Sequence, residues 1–197
     1  MIIFLSIFAF ILGSIPSGII VAKVKGIDLR AVGSGNIGAT NVLRAVGKIP
    51  ALITLISDML KGVIPVLLGI YFHIEEPYLG MLAVITVLGH DYSIFMKGKG
   101  GKGVATSLGV FFVYSPLIGL VNVISWVLTA FTMKYSSLSA LVAFGLLPIN
   151  LYILDYSPHK LITSIIISGL IFLKHRQNIS RLVNGTEPKI GKSPKGD

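Results

Sequence analysis

The feature that most constrains this chain is its first 22 residues, which contain no Lys, Arg, Asp or Glu. About 20 such residues are enough to cross the hydrocarbon core of a bilayer as a helix. A cleaved signal peptide carries its basic residues before the apolar run, whereas here Lys23 and Lys25 follow it. The sequence therefore predicts a retained first membrane helix whose amino end lies outside the cytoplasm.

Composition supports an integral membrane protein. Only 13% of the residues are charged and 53% are hydrophobic, whereas soluble domains carry about 25% charged residues. The absence of Cys excludes a disulfide framework, a thiolate metal site and a cysteine nucleophile. A net charge of +9 could indicate nucleic acid as a partner. The basic residues fall between apolar runs, however, so we predict no nucleic-acid partner.

Further apolar runs alternate with short charged segments, and the basic residues indicate which segments are cytoplasmic. Residues 23–48 contain five basic residues against one acidic residue, and residues 174–197 contain six against two. Segments rich in Lys and Arg remain in the cytoplasm. We therefore place both of these segments there. The runs after the first are residues 50–72, 79–96, 104–133 and 138–154 and a last run ending at Leu173.

The run 104–133 decides the topology, since it is too long for one span. Two short helices that reverse near Ser115 and Pro116 would bring the carboxyl end into the cytoplasm. The predicted fold is thus an all-α integral membrane protein, a compact bundle of seven transmembrane helices with its amino end outside. The alternative is one helix kinked at Pro116, which gives six spans. We expect a single domain over residues 1–197, with 186–197 a flexible cytoplasmic tail.

Two glycine-rich segments, residues 33–38 and 98–103, lie in predicted cytoplasmic loops. Glycines let backbone N–H groups surround a phosphate, and a helix that starts after the loop adds the positive end of its dipole. A helix starting at Val104 would have this relation to the second loop. The alternative is that the glycines only form tight turns between packed helices. Two such loops among lysines indicate a site for more than one phosphate.

Polar side chains around the first loop could bind a polyol or a phosphate. Arg44 could grip phosphate bidentately, and either Thr40 or Asn41 could instead cap a short helix. This candidate set comprises Ser34, Asn36, Thr40, Asn41 and Arg44.

Asp58 and Lys61 lie three residues apart in the second apolar run, on one face of a helix. Ionisable groups at that depth normally face the bundle interior with a partner, so a structural ion pair and a functional role both stay open. His90 and His175 approach the cytoplasmic side, where either could act as a general base. Asn178 follows His175 by about one helical turn.

Several chemistries are excluded by pattern. The sequence contains neither a Walker A motif nor G-x-S-x-G nor H-E-x-x-H. Two histidines without a Cys or Glu pair do not supply a tetrahedral zinc site, so we predict neither a metal nor another cofactor. An anion transporter or channel remains the alternative to an enzyme, because a buried ion pair and broken helices also suit a permeation path.

Three ordered segments resemble the motifs of one family. They are residues 34–41 (Ser-Gly-Asn-Ile-Gly-Ala-Thr-Asn), residues 89–90 with 99–106 (Gly-His; Lys-Gly-Gly-Lys-Gly-Val-Ala-Thr), and residues 175–182 (His-Arg-Gln-Asn-Ile-Ser-Arg-Leu) with Gly185 and Glu187. The chain is similar in these segments to the bacterial acyl-phosphate:glycerol-3-phosphate acyltransferases, PlsY. The resemblance covers nearly the whole chain.

This resemblance implies transfer of an acyl group from acyl phosphate to the 1-hydroxyl of sn-glycerol 3-phosphate, which gives lysophosphatidic acid and phosphate. It implies an active site on the cytoplasmic face of the bacterial inner membrane. We further expect a monomer surrounded by membrane lipid, with the enzyme that makes acyl phosphate as a candidate protein partner. An acyl phosphate is already activated, so no acyl-enzyme is needed.

Roles follow as hypotheses. The predicted catalytic residues are Ser34, Lys102, His175 and Asn178. Either the departing phosphate or a histidine takes the proton of the attacking hydroxyl. The predicted substrate-binding and phosphate-binding residues are Ser34, Gly35, Asn36, Gly38, Thr40, Asn41, Arg44, Lys61, His90, Lys99, Gly100, Gly101, Lys102, Gly103, Thr106, Arg176, Arg181 and Glu187.

Overall fold

The computed structural model describes residues 1–190, and within this range the regular secondary structure is entirely helical, without strands. Five helical stretches are long and apolar enough, by length and composition, to cross a membrane. This confirms the predicted all-α membrane class. The five stretches are Ile2–Val24, Lys48–Tyr71, Glu76–Met96, Pro116–Met133 and Ser136–Leu154.

The long helices follow the apolar runs, and two of them continue through an internal proline, Pro65 and Pro148. A short 3₁₀ turn, Ile94–Met96, lies between the fifth and sixth helices. The helices are α1 Ile2–Ser14, α2 Ser17–Val24, α3 Ala39–Ala45, α4 Lys48–Tyr71, α5 Glu76–Asp91, α6 Val104–Tyr114, α7 Pro116–Met133, α8 Ser136–Leu154, α9 Pro158–Lys174 and α10 Arg176–Val183.

The stretch 104–133 forms two helices, α6 and α7, which meet at Ser115. Gly119 in the first turn of α7 lies against the backbone of Phe111 and Phe112 near the end of α6. Such contact across eight residues requires the chain to double back, because a continuous helix would separate these residues by about two turns. The break is therefore a reversal, as the interpretation with two short helices predicts.

Glycines let helices pack with their backbones in contact. A Cβ on Gly62 of α4 would overlap the carbonyl of Thr106 in α6, and one on Gly109 of α6 would overlap the carbonyl of Met59. Small residues at such crossings are a common means of helix association in membranes. The core between the helices is apolar, with Phe111 and Phe144 among its fully buried side chains.

Close packing brings the helix ends and loops together at two opposite ends of the bundle. At one end, Ser157 donates to Glu76 and Ser115 donates to Asp155. The other end holds both glycine-rich loops and the segment after α10.

Candidate active site

Segments that are distant in the sequence meet at the end of the bundle that holds the glycine-rich loops. Arg30 donates to the carbonyl of Lys99, which joins the segment just before the first loop to the second loop. The amide of Ile190 donates to the carbonyl of Lys134 at 2.7 Å, which joins the segment after α10 to the α7–α8 turn. This end is therefore the place where the predicted site residues can converge.

The buried side chain of Asn41 organises the first loop. Its Oδ1 accepts from the amide of Ser34 at 2.8 Å. Its Nδ2 donates to the carbonyls of Leu29, Val32 and Asn36 at 3.1, 3.1 and 2.9 Å. Every polar atom of this amide is thus used inside the protein. Asn41 therefore shapes the loop, and the predicted ligand contact of its side chain is not what the structure shows.

The predicted helix cap is also different. α3 begins at Ala39 with Gly38 as its N-cap, and no side chain caps it. Thr40 and Asn41 lie inside the first turn, where the hydroxyl of Thr40 contacts that of Ser136 at 3.0 Å. Capping by Thr40 or Asn41 was thus the wrong expectation, because the extended backbone of Gly38 already starts the helix. Gly35 and Asn36 lie within the first loop and are half-buried.

The second loop is fastened to the end of α5. The amide of Gly100 donates to the carbonyl of Asp91 at 3.2 Å, and that of Gly101 to the carbonyl of His90 at 2.9 Å. These two amides are used within the protein, which corrects the expectation that they cradle a phosphate. Gly103 has a left-handed φ of +74° and is the N-cap of α6, which begins at Val104 as predicted.

Five side chains form a hydrogen-bonded set that we call the Lys102 network: Lys102, Ser137, Asn178, Arg181 and Glu187. Lys102 donates to Oδ1 of Asn178, whose Nδ2 donates to Oε1 of Glu187 at 2.7 Å. Ser137 donates to the same Oε1 at 2.6 Å, and Nε of Arg181 lies 2.7 Å from Oε2. The network joins α8, α10, the second glycine-rich loop and the segment after α10 around one carboxylate.

That carboxylate stays ionised. Burial raises the pKa of Glu187, but hydrogen bonds from Ser137, Asn178 and Arg181 outweigh burial and hold the pKa below its ordinary value. A single anion therefore lies among cations at the surface of the site.

Arg44 lies beside the network and holds the segment after α10. Its Nη2 donates to the carbonyls of Pro188 and Lys189 at 3.1 and 3.2 Å. Its Nε is buried and has no acceptor among the described residues. Burial lowers the pKa of Arg44, and Glu187 acts in the opposite direction. Arg44 thus holds the segment after α10 in place and adds a positive charge beside the network.

Lys102 and His175 are both partly withdrawn from water. Burial lowers the pKa of Lys102 to about 8, and of the nearby charges Glu187 opposes this shift while Arg181 and Arg44 add to it. Burial, together with the Lys102 charge, lowers the pKa of His175 to about 4. At neutral pH the site therefore contains a cationic lysine and a neutral imidazole.

The tautomer of His175 follows from its contact. Its Nδ1 lies 2.8 Å from the carbonyl of Ile171. Because a carbonyl can only accept, Nδ1 carries the proton, and in the neutral ring Nε2 is then an acceptor. His175 can therefore accept a hydrogen bond from a substrate hydroxyl.

Other predicted residues lie away from this network. Ser34, Lys99 and Arg176 are exposed, and the side chain of Arg176 makes no hydrogen bond or ion pair with a described residue. Thr106 is fully buried in the first turn of α6, where its backbone contacts Gly62 of α4, and its hydroxyl has no partner among the described residues. Lys61 belongs to a buried cluster beneath the second loop.

Sequence reasoning missed Ser136 and Ser137. Both lie at the start of α8, directly after Lys134 and Tyr135. In the sequence they look only like the polar end of an apolar run. The signal was their position next to Lys134, in the short segment between the apolar runs 104–133 and 138–154. The first residues of the predicted tail also make contacts, through Glu187 and Ile190. Residues 191–197 of that tail lie outside the described part of the chain.

Comparisons with known proteins give a consistent result. A family model described as glycerol-3-phosphate acyltransferase matches residues 3–185. The glycerol-3-phosphate acyltransferase of Geotalea daltonii is 44% identical over 94% of this chain and 95% of its own length. That of Aquifex aeolicus is 44% identical over 95% and 98%.

Two solved structures are similar throughout. Both are crystal structures of PlsY, an integral membrane glycerol 3-phosphate acyltransferase. The glycerol 3-phosphate form has a TM-score of 0.92 and 43% identity and covers 96% of each chain. The lysophosphatidic acid form has a TM-score of 0.90 and 42% identity, over 96% of this chain and 95% of the other.

Proposed function

Because this chain belongs to the glycerol-3-phosphate acyltransferase family, we propose that the Lys102 network and Arg44 bind its phosphate-bearing substrates. The chain is an integral membrane enzyme of phospholipid synthesis that acylates glycerol 3-phosphate to lysophosphatidic acid. We take the acyl donor to be an acyl phosphate. Binding of two substrates that react with each other distinguishes this enzyme from the anion transporter that the sequence left open as the alternative.

One observation carries the phosphate assignment. Lys102, Arg181 and Arg44 surround the single carboxylate of Glu187. Three cations against one carboxylate leave a surplus of two positive charges, which matches a phosphate dianion. Hydrogen bonds between such cations and phosphate oxygens are about twice as strong as neutral ones. The surplus of positive charge therefore both strengthens the binding of phosphate and orients the bound substrate.

The reaction needs positioning more than activation. The 1-hydroxyl oxygen of glycerol 3-phosphate attacks the acyl carbon, and the bond from that carbon to the phosphate oxygen breaks. Holding the two reactants in attack geometry supplies much of the rate enhancement. Lys102 and Asn178 donate to the phosphate or to the oxyanion, and Ser34, exposed at the first loop, contacts the acyl phosphate from the solvent side.

The proton of the hydroxyl goes to the departing phosphate. Nε2 of His175 accepts from the hydroxyl and orients it. A base is most effective when its pKa lies near the working pH, and a pKa of about 4 makes His175 too weak to take the proton fully.

The direct test uses purified protein with synthetic palmitoyl phosphate and glycerol 3-phosphate, and follows both inorganic phosphate and lysophosphatidic acid in time. We expect equal formation of the two products. Acyl coenzyme A and acyl carrier protein thioesters, supplied in place of acyl phosphate, test the donor. Phosphate release no faster than the uncatalysed reaction would overturn the proposal.

The pKa of Lys102 predicts a pH dependence. Lys102 is protonated below about pH 8 and loses its proton above it, and only the ammonium form attracts phosphate. We therefore expect kcat/KM to fall as the pH rises through about 8. Lys102→Arg keeps its charge to much higher pH, so its profile should lack this fall. The check is kcat/KM against pH for both proteins, corrected for spontaneous hydrolysis. The same alkaline fall in Lys102→Arg would assign the titration to another group.

Seven spans with the amino end outside and the carboxyl end in the cytoplasm complete the proposal. The contacts support it, since Glu76, Ser115 and Ser157 meet at one end and the basic loops at the other. α6 and α9, of 11 and 17 residues, are the two short spans. We place this basic end at the cytoplasmic face of a bacterial inner membrane and treat the enzyme as a monomer that takes acyl phosphate from the enzyme producing it.

Cysteine labelling tests this topology, because the chain has no Cys of its own. We expect an impermeant thiol reagent added to whole cells to label Tyr156→Cys but not Asn184→Cys, two positions that are exposed in the fold. Labelling of both after permeabilisation is the control for reactivity. Six spans would reverse the pattern.

A further inference from the structure

A break in the first span exposes backbone carbonyls inside the bundle. Helix α1 ends at Ser14 and α2 begins at Ser17, because Pro16 has no N–H to continue the ladder. Backbone groups in a membrane must be paired within the protein. Here Oγ of Ser93 donates to the carbonyl of Ser14 at 2.5 Å, and Nζ of Lys61 donates to the carbonyl of Ile15.

Lys61 belongs to a buried cluster that extends from this break towards the second loop. Its Nζ lies 2.5 Å from Oδ1 of Asp58, and these two side chains are only 4% and 3% exposed. The same Oδ1 lies 3.9 Å from Nδ1 of His90. Asp58 and Lys61 therefore form an ion pair, which was one of the two interpretations left open by the sequence. His90 lies beside this pair and connects it to the other interpretation, a functional role.

His90 supports the glycine that precedes Lys102. Its carbonyl accepts from the amide of Gly101 at 2.9 Å. Its ring fills the space that a side chain on residue 101 would need, because a Cβ there would overlap Nε2 and lie 2.9 and 3.0 Å from Cδ2 and Cε1. The three atoms nearest to that Cβ all belong to this ring. Gly101 has no positive φ, so the requirement for glycine comes from space and not from backbone conformation.

We propose that His90, whose ring lies beside the ion pair of Asp58 and Lys61, is a positioning residue for the acyl transfer and that it sets the place of Lys102 by packing under Gly101. This role differs from the expectation that Lys61 and His90 bind substrate, because Asp58, Lys61 and His90 are all buried. This inference rests on the proposed phosphate-binding role of Lys102. Beyond that role, Asp58, Lys61 and His90 affect the reaction only through the position of the second loop.

A double-mutant cycle tests this role. Gly101→Ala should lower kcat/KM by about 100-fold, since displacing a binding group by about 1 Å has an effect of that size. His90→Ala should lower it less, about 10-fold by the same reasoning, because the loop loses support without being pushed. The double variant should recover to the level of His90→Ala, because the space vacated by the ring accepts the methyl group. Gly169→Ala is the matched control, since a Cβ on this helical glycine meets nothing within 4 Å.

Separate measurement of kcat and KM distinguishes positioning from general damage. In Gly101→Ala and His90→Ala the raised KM should be that of the same substrate whose KM rises in Lys102→Ala. A merely structural role would reduce the active fraction and leave both KM values unchanged. The thermal unfolding midpoint of each variant shows which proteins remain folded.

Recovery in the double variant, with the matching KM pattern, supports the proposal. A double variant no better than Gly101→Ala, or unchanged KM values, overturns it even if Lys102→Ala is inactive. An inactive unmodified enzyme would instead overturn the acyl-phosphate reaction itself. If Gly101→Ala does not fold, the test uses stability instead of activity. A double variant that can be purified in folded form then supports the proposal, and a double variant that fails to fold counts against it.

Discussion

Replacement of Lys102 by Ala is expected to lower kcat/KM by about 100- to 1000-fold, the effect of removing one donor to a developing or bound anion. Lys102 is the member of the network that lies on the second loop, just before α6, and it donates to Asn178. Its removal halves the surplus of positive charge around Glu187. Initial rates with palmitoyl phosphate and varied glycerol 3-phosphate, and then the reverse, measure the loss and assign it to one substrate.

Lys25→Ala is the control for this prediction. It removes the same charge and the same side chain, but Lys25 is exposed at the end of α2 and makes no side-chain hydrogen bond with a described residue. Its kcat/KM should stay within about twofold, since substitutions on such surfaces rarely have larger effects. Equal losses in the two variants would mean that general surface charge, and not the Lys102 network, attracts the substrates.

Elements set by local chemistry were predictable from the sequence. The apolar runs gave the long helices, and the reversal at Ser115 followed from the length of 104–133 and from the charge of the tail. The start of α6 at Val104 followed from the glycines before it. In each case the deciding information lies within about one helical turn of the feature, or in a charge pattern read along the whole chain.

Contacts between distant segments were not predictable in the same way. Lys102 and Asn178 are 76 residues apart, and Ser137 and Glu187 are 50 apart. Residue types indicated that such groups could bind phosphate, but only the folded structure shows that Asn178 and Ser137 both donate to Glu187 and that Lys102 donates to Asn178.

Direction was the other missing information. A polar residue in a glycine-rich loop can face a ligand or the protein, and its type does not tell which. The amide of Asn41 faces the carbonyls of its own loop. Thr106, in the first turn of α6, is fully buried, and its hydroxyl has no partner among the described residues.

Asn178 is the most demanding position in the network, because its side chain must accept at one atom and donate at the other. Oδ1 accepts from Lys102, and Nδ2 donates to Glu187 at 2.7 Å. Only an amide of this length satisfies both neighbours. A carboxylate of the same shape would satisfy Lys102 but would present an oxygen to an oxygen at Glu187.

Asn178→Asp is therefore expected to lower kcat/KM by at least about 100-fold. The new carboxylate repels Glu187, since like charges at this distance cannot both stay ionised without cost. It also pairs with Lys102 and reduces the cation surplus that a phosphate dianion needs. Gln177→Glu is the matched control, because it adds the same charge to the same helix at an exposed position. Steady-state rates and the unfolding midpoint of both variants make the comparison. If Asn178→Asp kept the activity of Gln177→Glu, the amide would have no part in binding, and the cations alone would have to account for the site.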